Sequence, residues 1–415
     1  MLSITSPTPS APCPTPFNLA AYVLSNGAAQ PDKIALQVLR LTGAERWSYA
    51  ALTRAVRGIG TGFLQAGFTP GDRVLMRLGN TVDFPLAFLG AIAAGLVPVP
   101  TSAQLTAPEI TAMAAQLDPM LVIAGPDIAL PGHPAPVISA DTLRGWHALP
   151  PCDWHMGSPD RLAYMIFTSG SSGRPRAVMH AHRAVWARRM MWSGWYGLTA
   201  EDRLLHAGAF NWTYTLGTGL MDPWAIGATA LIPDASVEAA QLPLLLKRFD
   251  ATIFAAAPGV YRQLLKMPVP PLPRLRHGLS AGEKLPEVVR ATWVKATGTP
   301  IYEALGMSEV STYVSASPGR PAPEGTAGYP QPGRRLAILG EDGMPVPRGE
   351  GGELAVGADD PGLFLGYWRA EDETSARLRD GWFHTGDTVL METDGAIRYL
   401  GRDDDMLNAG GFRVS

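Results

Sequence analysis

The chain predicts an α/β fold: two sheet-and-helix subdomains of similar design, followed by a small β-barrel-like subdomain. Three observations carry this. Residues 17 to about 150 alternate helically spaced segments with short apolar runs, and the same rhythm continues from 161 to 314. Beyond about 325 the pattern changes to strand-like runs joined by Asp-Gly turns. The expected organisation is a disordered lead over 1–16, paired α/β subdomains over 17–325 and a β-rich subdomain over 326–401. Residues 402–415 fall outside this pattern.

Within the first block, residues 49–66 have helical apolar spacing and 73–78 (RVLMRL) read as a strand. Residues 83–96 predict a helix rich in small residues, and 120–125 (MLVIAG) another strand. The second block offers strands at 162–167 (LAYMIF), 228–232, 251–257 and 301–304. In the last region, RRLAIL and GGELAVG flank a turn at Asp342-Gly343. TVLMET and AIRYL read as a hairpin turning at Asp394-Gly395. Residues 341–405 are acidic, with 16 Asp and Glu against 6 Arg.

Composition narrows the function. The chain has 34 basic and 37 acidic residues, a net charge of −3 that gives no global field for nucleic acid or an anionic membrane. Its 45 glycines and 38 prolines, about one residue in five, follow no repeat and suit a loop-rich enzyme. Cys13 and Cys152 stand far apart, each beside proline, so neither a disulfide framework nor a structural zinc site is expected. The N-terminal segment MLSITSPTPSAPCPTP has no basic or apolar signal region, and the apolar stretch 85–100 is too short to span a bilayer. A cytoplasmic protein without a membrane span is expected. Lysine is scarce: Lys33, Lys247, Lys266, Lys284 and Lys295 are all there are, so 29 of the basic residues are arginines.

Four motifs carry chemistry. Thr168-Ser-Gly-Ser-Ser-Gly-Arg-Pro-Arg176 follows an apolar strand; its glycines let backbone approach a ligand, and its hydroxyls, amides and arginines suit a polyphosphate. It lacks the Walker A spacing, and taken alone a Ser/Gly-rich turn after a strand is more often just a turn. Tyr302-Glu-Ala-Leu-Gly-Met-Ser-Glu309 sets a hydroxyl beside a carboxylate, a pairing for a Mg²⁺–phosphate complex or simply a surface acid. Gly381-Trp-Phe-His-Thr-Gly-Asp387 places Asp387 at a hairpin entry, where it can take two ribose hydroxyls or make an Asx turn. Gly401-Arg-Asp-Asp-Asp-Met-Leu-Asn408 reads alone as a charged linker.

In order and spacing, these motifs together resemble the adenylate-forming superfamily of acyl-CoA synthetases, luciferases and peptide-synthetase adenylation domains. The resemblance extends to Asn18-Leu-Ala, Pro31-Asp-Lys-Ile-Ala-Leu36, Gly71-Asp-Arg-Val74, Gly95-Leu-Val-Pro-Val-Pro100 and Gly366-Tyr-Trp-Arg369. It implies that a carboxylate attacks the α-phosphate of MgATP, giving an acyl-adenylate that a thiol, usually coenzyme A, then attacks. By this likeness Thr168, Ser169, Gly170, Ser171, Ser172, Gly173 and Arg176 form the pyrophosphate loop. Arg176 stands where the family usually has lysine. Gly282 and Glu283, after Ser280 and Ala281, match a loop against the adenine and acyl group. Glu303, Ala304, Leu305, Gly306, Met307 and Ser308 match the other nucleotide wall, with leucine at 305 where many members have an aromatic ring. Glu309 takes the magnesium-linked position, Asp387 the ribose ligand, Arg402 a second ribose contact and Asp404 the hinge pivot, so by this likeness residues 402–415 hold a hinge and the truncated start of a further domain.

The acyl-selecting segment aligns with residues 209–216, which lack the aspartate that pairs with an α-amino group. Phe210, Trp212, Thr213 and Tyr214, with Ala281, Gly282 and Gly306, are the expected acyl contacts. Trp186, Trp192, Trp195, Trp212 and Trp224 cluster around this segment, either as pocket or as core. The stretch looks most like benzoate-type and medium-chain acyl-CoA ligases. His180 and His182 are expected to be structural, for want of a third metal ligand. The expected activity is AMP-forming ligation of an aromatic, alicyclic or medium-chain acid to CoA, with ATP and Mg²⁺. A ligand-binding fragment with little adenylation, or a ligase loading a carrier protein, stays open, as does a homodimer. The family's bridging lysine lies in a small C-terminal domain, so the absence of lysine after Lys295 implies that this chain corresponds to the large N-terminal domain.

Overall fold

The computed structural model describes residues 1–6, 11–169, 175–402, 407–409 and 412–414. Its fold is the expected mixed α/β class. Among the described residues a nine-stranded sheet forms the centre. Six strands in it run parallel, in the order Ile301–Met307, His277–Ala281, Ile253–Ala256, Arg203–His206, Thr229–Pro233 and Ile34–Arg40. Gly43–Ser48 closes one edge antiparallel, and Ser311–Ser315 with Tyr329–Pro330 closes the other. The inner strands are continuous apolar runs such as IFAA and TALIP, as a sheet covered on both faces requires.

A second, wholly parallel sheet has the order Val97–Pro100, Arg73–Arg77, Leu121–Ala124 and Val137–Ser139. Pro98 and Pro100 are tolerated because their strand is at the edge. Helix Tyr49–Gln65 is capped by Ser48, whose hydroxyl accepts from the Ala51 amide at 3.2 Å. Helix Asp83–Ala93 is buried on every side. Their side chains join Leu36, Ile123, Ala230 and Ile232 in one core that cements the two sheets. Sequential blocks are therefore not spatial blocks: the hairpin formed by Ile34–Arg40 and Gly43–Ser48 pairs with the later sheet.

Leu162–Ser169 and Pro175–Ala181 form an antiparallel hairpin, extended by Gly366–Tyr367. The β-rich region pairs Leu336–Leu339, Gly351–Gly357 and Trp382–Met391, with Ile397–Arg402 returning along the last. Gly343 and Gly395 take φ of 74° and 89° at the two Asp-Gly turns, where a side chain would be strained. Val310, Tyr313, Leu354, Phe364 and Phe383 share a core that fixes this region to the body.

Residues 1–6 depart from the expected unstructured lead. The Ser3 amide donates to Val346 O and the Thr5 amide to Leu336 O, both at 2.8 Å, and Ser3 is fully buried. Polar composition gave no apolar period to read, yet the free edge of Leu336–Leu339 supplies backbone partners. No helix among the described residues is long and apolar enough to cross a membrane.

Candidate active site

The carboxyl ends of the parallel strands open onto a cavity of about 670 Å³, where open α/β sheets characteristically bind ligands. Strand His277–Ala281 delivers Ala281 and Gly282 to its wall, and Ile301–Met307 delivers Gly306 and Met307, followed by Ser308 and Glu309. The segment after Arg203–His206 contributes Asn211, Trp212, Thr213 and Tyr214. The hairpin supplies Ile166, Phe167, Thr168 and Arg176, and Arg402 comes from the β-rich region.

Thr168 and Arg176 face each other across the hairpin. Gly170, Ser171, Ser172 and Gly173, expected in the same loop, lie outside the described residues, as does Asp404; Ser169 ends the described strand. Arg176 is ion-paired with Glu373, and its guanidinium carbon stands 5.4 Å from the Tyr367 ring centroid. Glu309 is 8% exposed, and its Oε1 accepts a 2.7 Å hydrogen bond from Tyr367. Its Oε2 has no hydrogen-bond partner among the described residues. Tyr214 donates to Leu279 O at 3.2 Å, with its ring between Trp195 and His206. Thr213 and Ser308 approach to 3.5 Å.

Asp387 is placed one layer back. It is buried; Tyr313 donates to its Oδ2 at 2.8 Å, and Arg402, on the cavity wall, has Nε 3.6 Å from its Oδ1. Burial, then the Asp387 charge, pushes the Tyr313 phenol far above its ordinary range, so it remains a donor. Asp387 opens the pairing of Trp382–Met391 with Ile397–Arg402, opposite Arg402, at the hairpin entry expected of it.

Several expected contacts fall elsewhere. Phe210 is 1% exposed and stacks on Phe84 at 5.0 Å, because its backbone amide is tied to Asn80 and the ring turns into the inter-sheet core. Glu303 accepts from the Leu285 amide and from Arg290 at 2.9 and 2.8 Å, on the flank of the sheet. Ala304 packs in the core beside Trp195, and Leu305 packs on the β-rich core. Only the last residues of this strand reach the cavity, which is why 303–305 do not line it. Glu283 is exposed outside the lining. Of the five tryptophans, Trp212 alone lines this cavity; Trp195 and Trp224 are core.

His182 accepts from the Leu19 amide at 3.0 Å, and His180 stacks on Tyr164 at 4.6 Å, so both serve structure. His384 pairs with Glu353 at 2.7 Å. No group of three or more potential metal-ligating His, Cys, Asp or Glu occurs among the described residues.

Tyr367, Arg377, Thr218, Ser311 and Thr312 also line the cavity and were not anticipated. Tyr367 stood inside a segment already noticed, Gly366-Tyr-Trp-Arg369. Thr218 and Ser311 had no local signal. Both contact Arg188, which lies in a buried ion pair with Asp222: Nη2 donates to Oδ2 at 2.6 Å and Nε to both oxygens at 3.0 Å. Burial works against the Arg188 charge, but Asp222 more than offsets it and holds the guanidinium protonated.

The chain resembles known proteins along most of its length. Residues 24–368 match the family model described as AMP-binding enzyme. A 3-hydroxybenzoate–CoA ligase of Aromatoleum sp. (strain CIB) is 29% identical over 397 residues, covering 90% of this chain and 75% of that protein. A 4-hydroxybenzoate–CoA/benzoate–CoA ligase of Rhodopseudomonas palustris is 30% identical, covering 89% and 72%. The crystal structure of a benzoate CoA ligase from Burkholderia xenovorans LB400 superposes with a TM-score of 0.83 at 27% identity, covering 94% of this chain and 81% of that one. An anthranilate CoA ligase with anthranoyl-AMP bound shares the fold, with a TM-score of 0.85 at 22% identity and coverage of 96% and 80%.

Proposed function

Because this chain belongs to the AMP-binding enzyme family, we propose that its cavity is the adenylation site of an AMP-forming carboxylic acid–CoA ligase acting on an aromatic acid. The observation that carries this reading is one cavity uniting the Thr168–Arg176 hairpin and Glu309 with the aromatic faces of Tyr214 and Trp212. Glu309 is the sole carboxylate on the described lining, so nothing there favours an ammonium-bearing substrate. The ring acids named for the relatives agree with those aromatic faces, against an alicyclic or medium-chain acid.

In this reading the acid's carboxylate oxygen attacks the α-phosphorus of ATP, and the bond to pyrophosphate breaks. Thr168 and Arg176 receive the leaving charge. CoA sulfur then attacks the acyl carbon, and AMP departs. The Glu309 carboxylate, with Oε2 open and Ser308 adjacent, fits a Mg²⁺ ion, which takes few protein oxygens. Bound there, Mg²⁺ would neutralise phosphate charge. Arg402, oriented by Asp387 behind it, would hold the ribose, and Gly282, where a Cβ would meet nothing within 4 Å, leaves room for the acyl-adenylate.

The test is pyrophosphate release from ATP with a panel of aromatic, alicyclic and straight-chain acids, with hydroxylamine trapping the adenylate and CoA added in parallel. Release confined to aromatic acids, with a CoA thioester formed, supports the proposal. Absence of both acid-dependent release and ATP binding overturns it.

A further inference from the structure

Ser311 is held in an unusual way. It opens strand Ser311–Ser315 with φ of 74°, in the left-handed region that serine rarely adopts. Ser311 faces Met307 in the pairing with Ile301–Met307, and just beyond it the ladder slips past Tyr313, with Gly306 facing Thr312 and Leu305 facing Val314. Glycine is needed at 306, because a Cβ there would lie 2.4 Å from Ser311 O. Backbone strain of this kind persists where the surroundings over-determine it.

What surrounds it is the Arg188–Asp222 pair. Arg188 Nη1 donates to Ser311 Oγ at 2.5 Å, and Nη2 donates to Thr218 Oγ1 at 3.3 Å. Tyr196, bonded to Asp222 and Thr218, completes the network. Arg188 occupies the acceptor side of the Ser311 hydroxyl. Among the described residues the acceptor for its proton is the Met191 sulfur at 3.8 Å, a weak one. Ser311 lines the cavity, so a buried ion pair orients a hydroxyl donor at the wall that also carries Tyr214 and Gly282.

We propose that Ser311 is a specificity-determining residue that donates a hydrogen bond to a neutral oxygen on the acyl group, making the preferred substrate a ring-hydroxylated aromatic acid. This rests on the ligase reading of the cavity. A second carboxylate on the substrate is disfavoured, because Asp222 already neutralises Arg188 and leaves no surplus positive charge behind Ser311. An unsubstituted ring leaves the hydroxyl without a good acceptor, a loss comparable to one hydrogen bond.

The experiment is calorimetric binding of non-hydrolysable acyl-sulfamoyl adenosines made from benzoic, 3-hydroxybenzoic, 4-hydroxybenzoic and isophthalic acids. Wild type is expected to bind one of the hydroxybenzoyl analogues about tenfold more tightly than the benzoyl analogue. In Ser311→Ala that ratio falls to about one. Ser311→Gly does the same while relieving the positive φ, so its melting temperature guards against misfolding as the cause. Equal binding of benzoyl and both hydroxybenzoyl analogues by wild type, a preference unchanged in Ser311→Gly, or tightest binding of the isophthaloyl analogue overturns the inference but leaves the ligase reading intact. Failure of all four analogues to bind overturns the ligase reading and the inference with it.

Discussion

Tyr367 donates a 2.7 Å hydrogen bond to Oε1 of Glu309, joining two parts of the cavity that come from distant stretches of chain. Tyr367 belongs to the short strand Gly366–Tyr367, which pairs with Pro175–Ala181 of the phosphate hairpin. Arg176 stands beside the same ring. One tyrosine therefore sets the position of the acid relative to the hairpin. Burial, followed by the Glu309 charge, pushes its phenol well above the ordinary range, so it stays a donor throughout neutral pH.

Tyr367→Phe removes that donor and keeps the ring. Glu309 is expected to lose its fixed orientation, lowering kcat/KM for ATP about five- to tenfold, the worth of roughly one hydrogen bond. KM for the acid should change less than twofold, since Tyr214 and the acyl wall are untouched. Steady-state pyrophosphate release with ATP varied, then with acid varied, measures both. An equal effect on the two substrates would place Tyr367 in general support of the fold.

Phe210 makes the opposite prediction. With its ring stacked on Phe84 in the core, Phe210→Ala should lower the unfolding free energy by about 3–5 kcal/mol. Phe210→Leu, which refills most of that volume, should leave the order of preference among acids as it was. Urea unfolding and an acid panel read the two effects. A changed acid preference in Phe210→Leu with little loss of stability would return the ring to the acyl site.

The division between Phe210 and Ser311 shows what was legible in the sequence. Strands such as 73–78 and 251–257 were readable because a buried parallel strand is a continuous apolar run. Thr168, Arg176, Ser308 and Glu309 were readable because each belongs to one contiguous motif on or beside a strand. The direction of Phe210 was not, since it depends on the Asn80 side chain, 130 residues away, holding its amide. Ser311 was hidden for a related reason. Its aim comes from a left-handed backbone packed against Gly306 and from Arg188, 123 residues earlier, and neither leaves a local pattern. Residues 1–6 were misjudged because edge pairing uses backbone groups that every sequence has.

His206 carries a prediction about acid stability. It is 1% exposed, its ring lies 4.4 Å from that of Tyr214, and burial lowers its pKa to about 3. Unfolded, the same imidazole titrates near 6.5, so below that pH the unfolded chain binds a proton that the folded one does not. Its contribution is fully present above pH 6.5 and is lost as pH falls toward 3. His180 and His182, also near 3, act in the same direction. The slope from His206 alone approaches about 1.4 kcal/mol per pH unit, or about 2 kcal/mol between pH 6.5 and 5. Urea unfolding at pH 7.5, 6 and 5 should show falling stability in the wild type and a shallower fall in His206→Leu. Because the slope is the readout, any constant cost of the substitution drops out. Parallel pH profiles for the two proteins would mean that His206 is protonated while folded, or already neutral when unfolded.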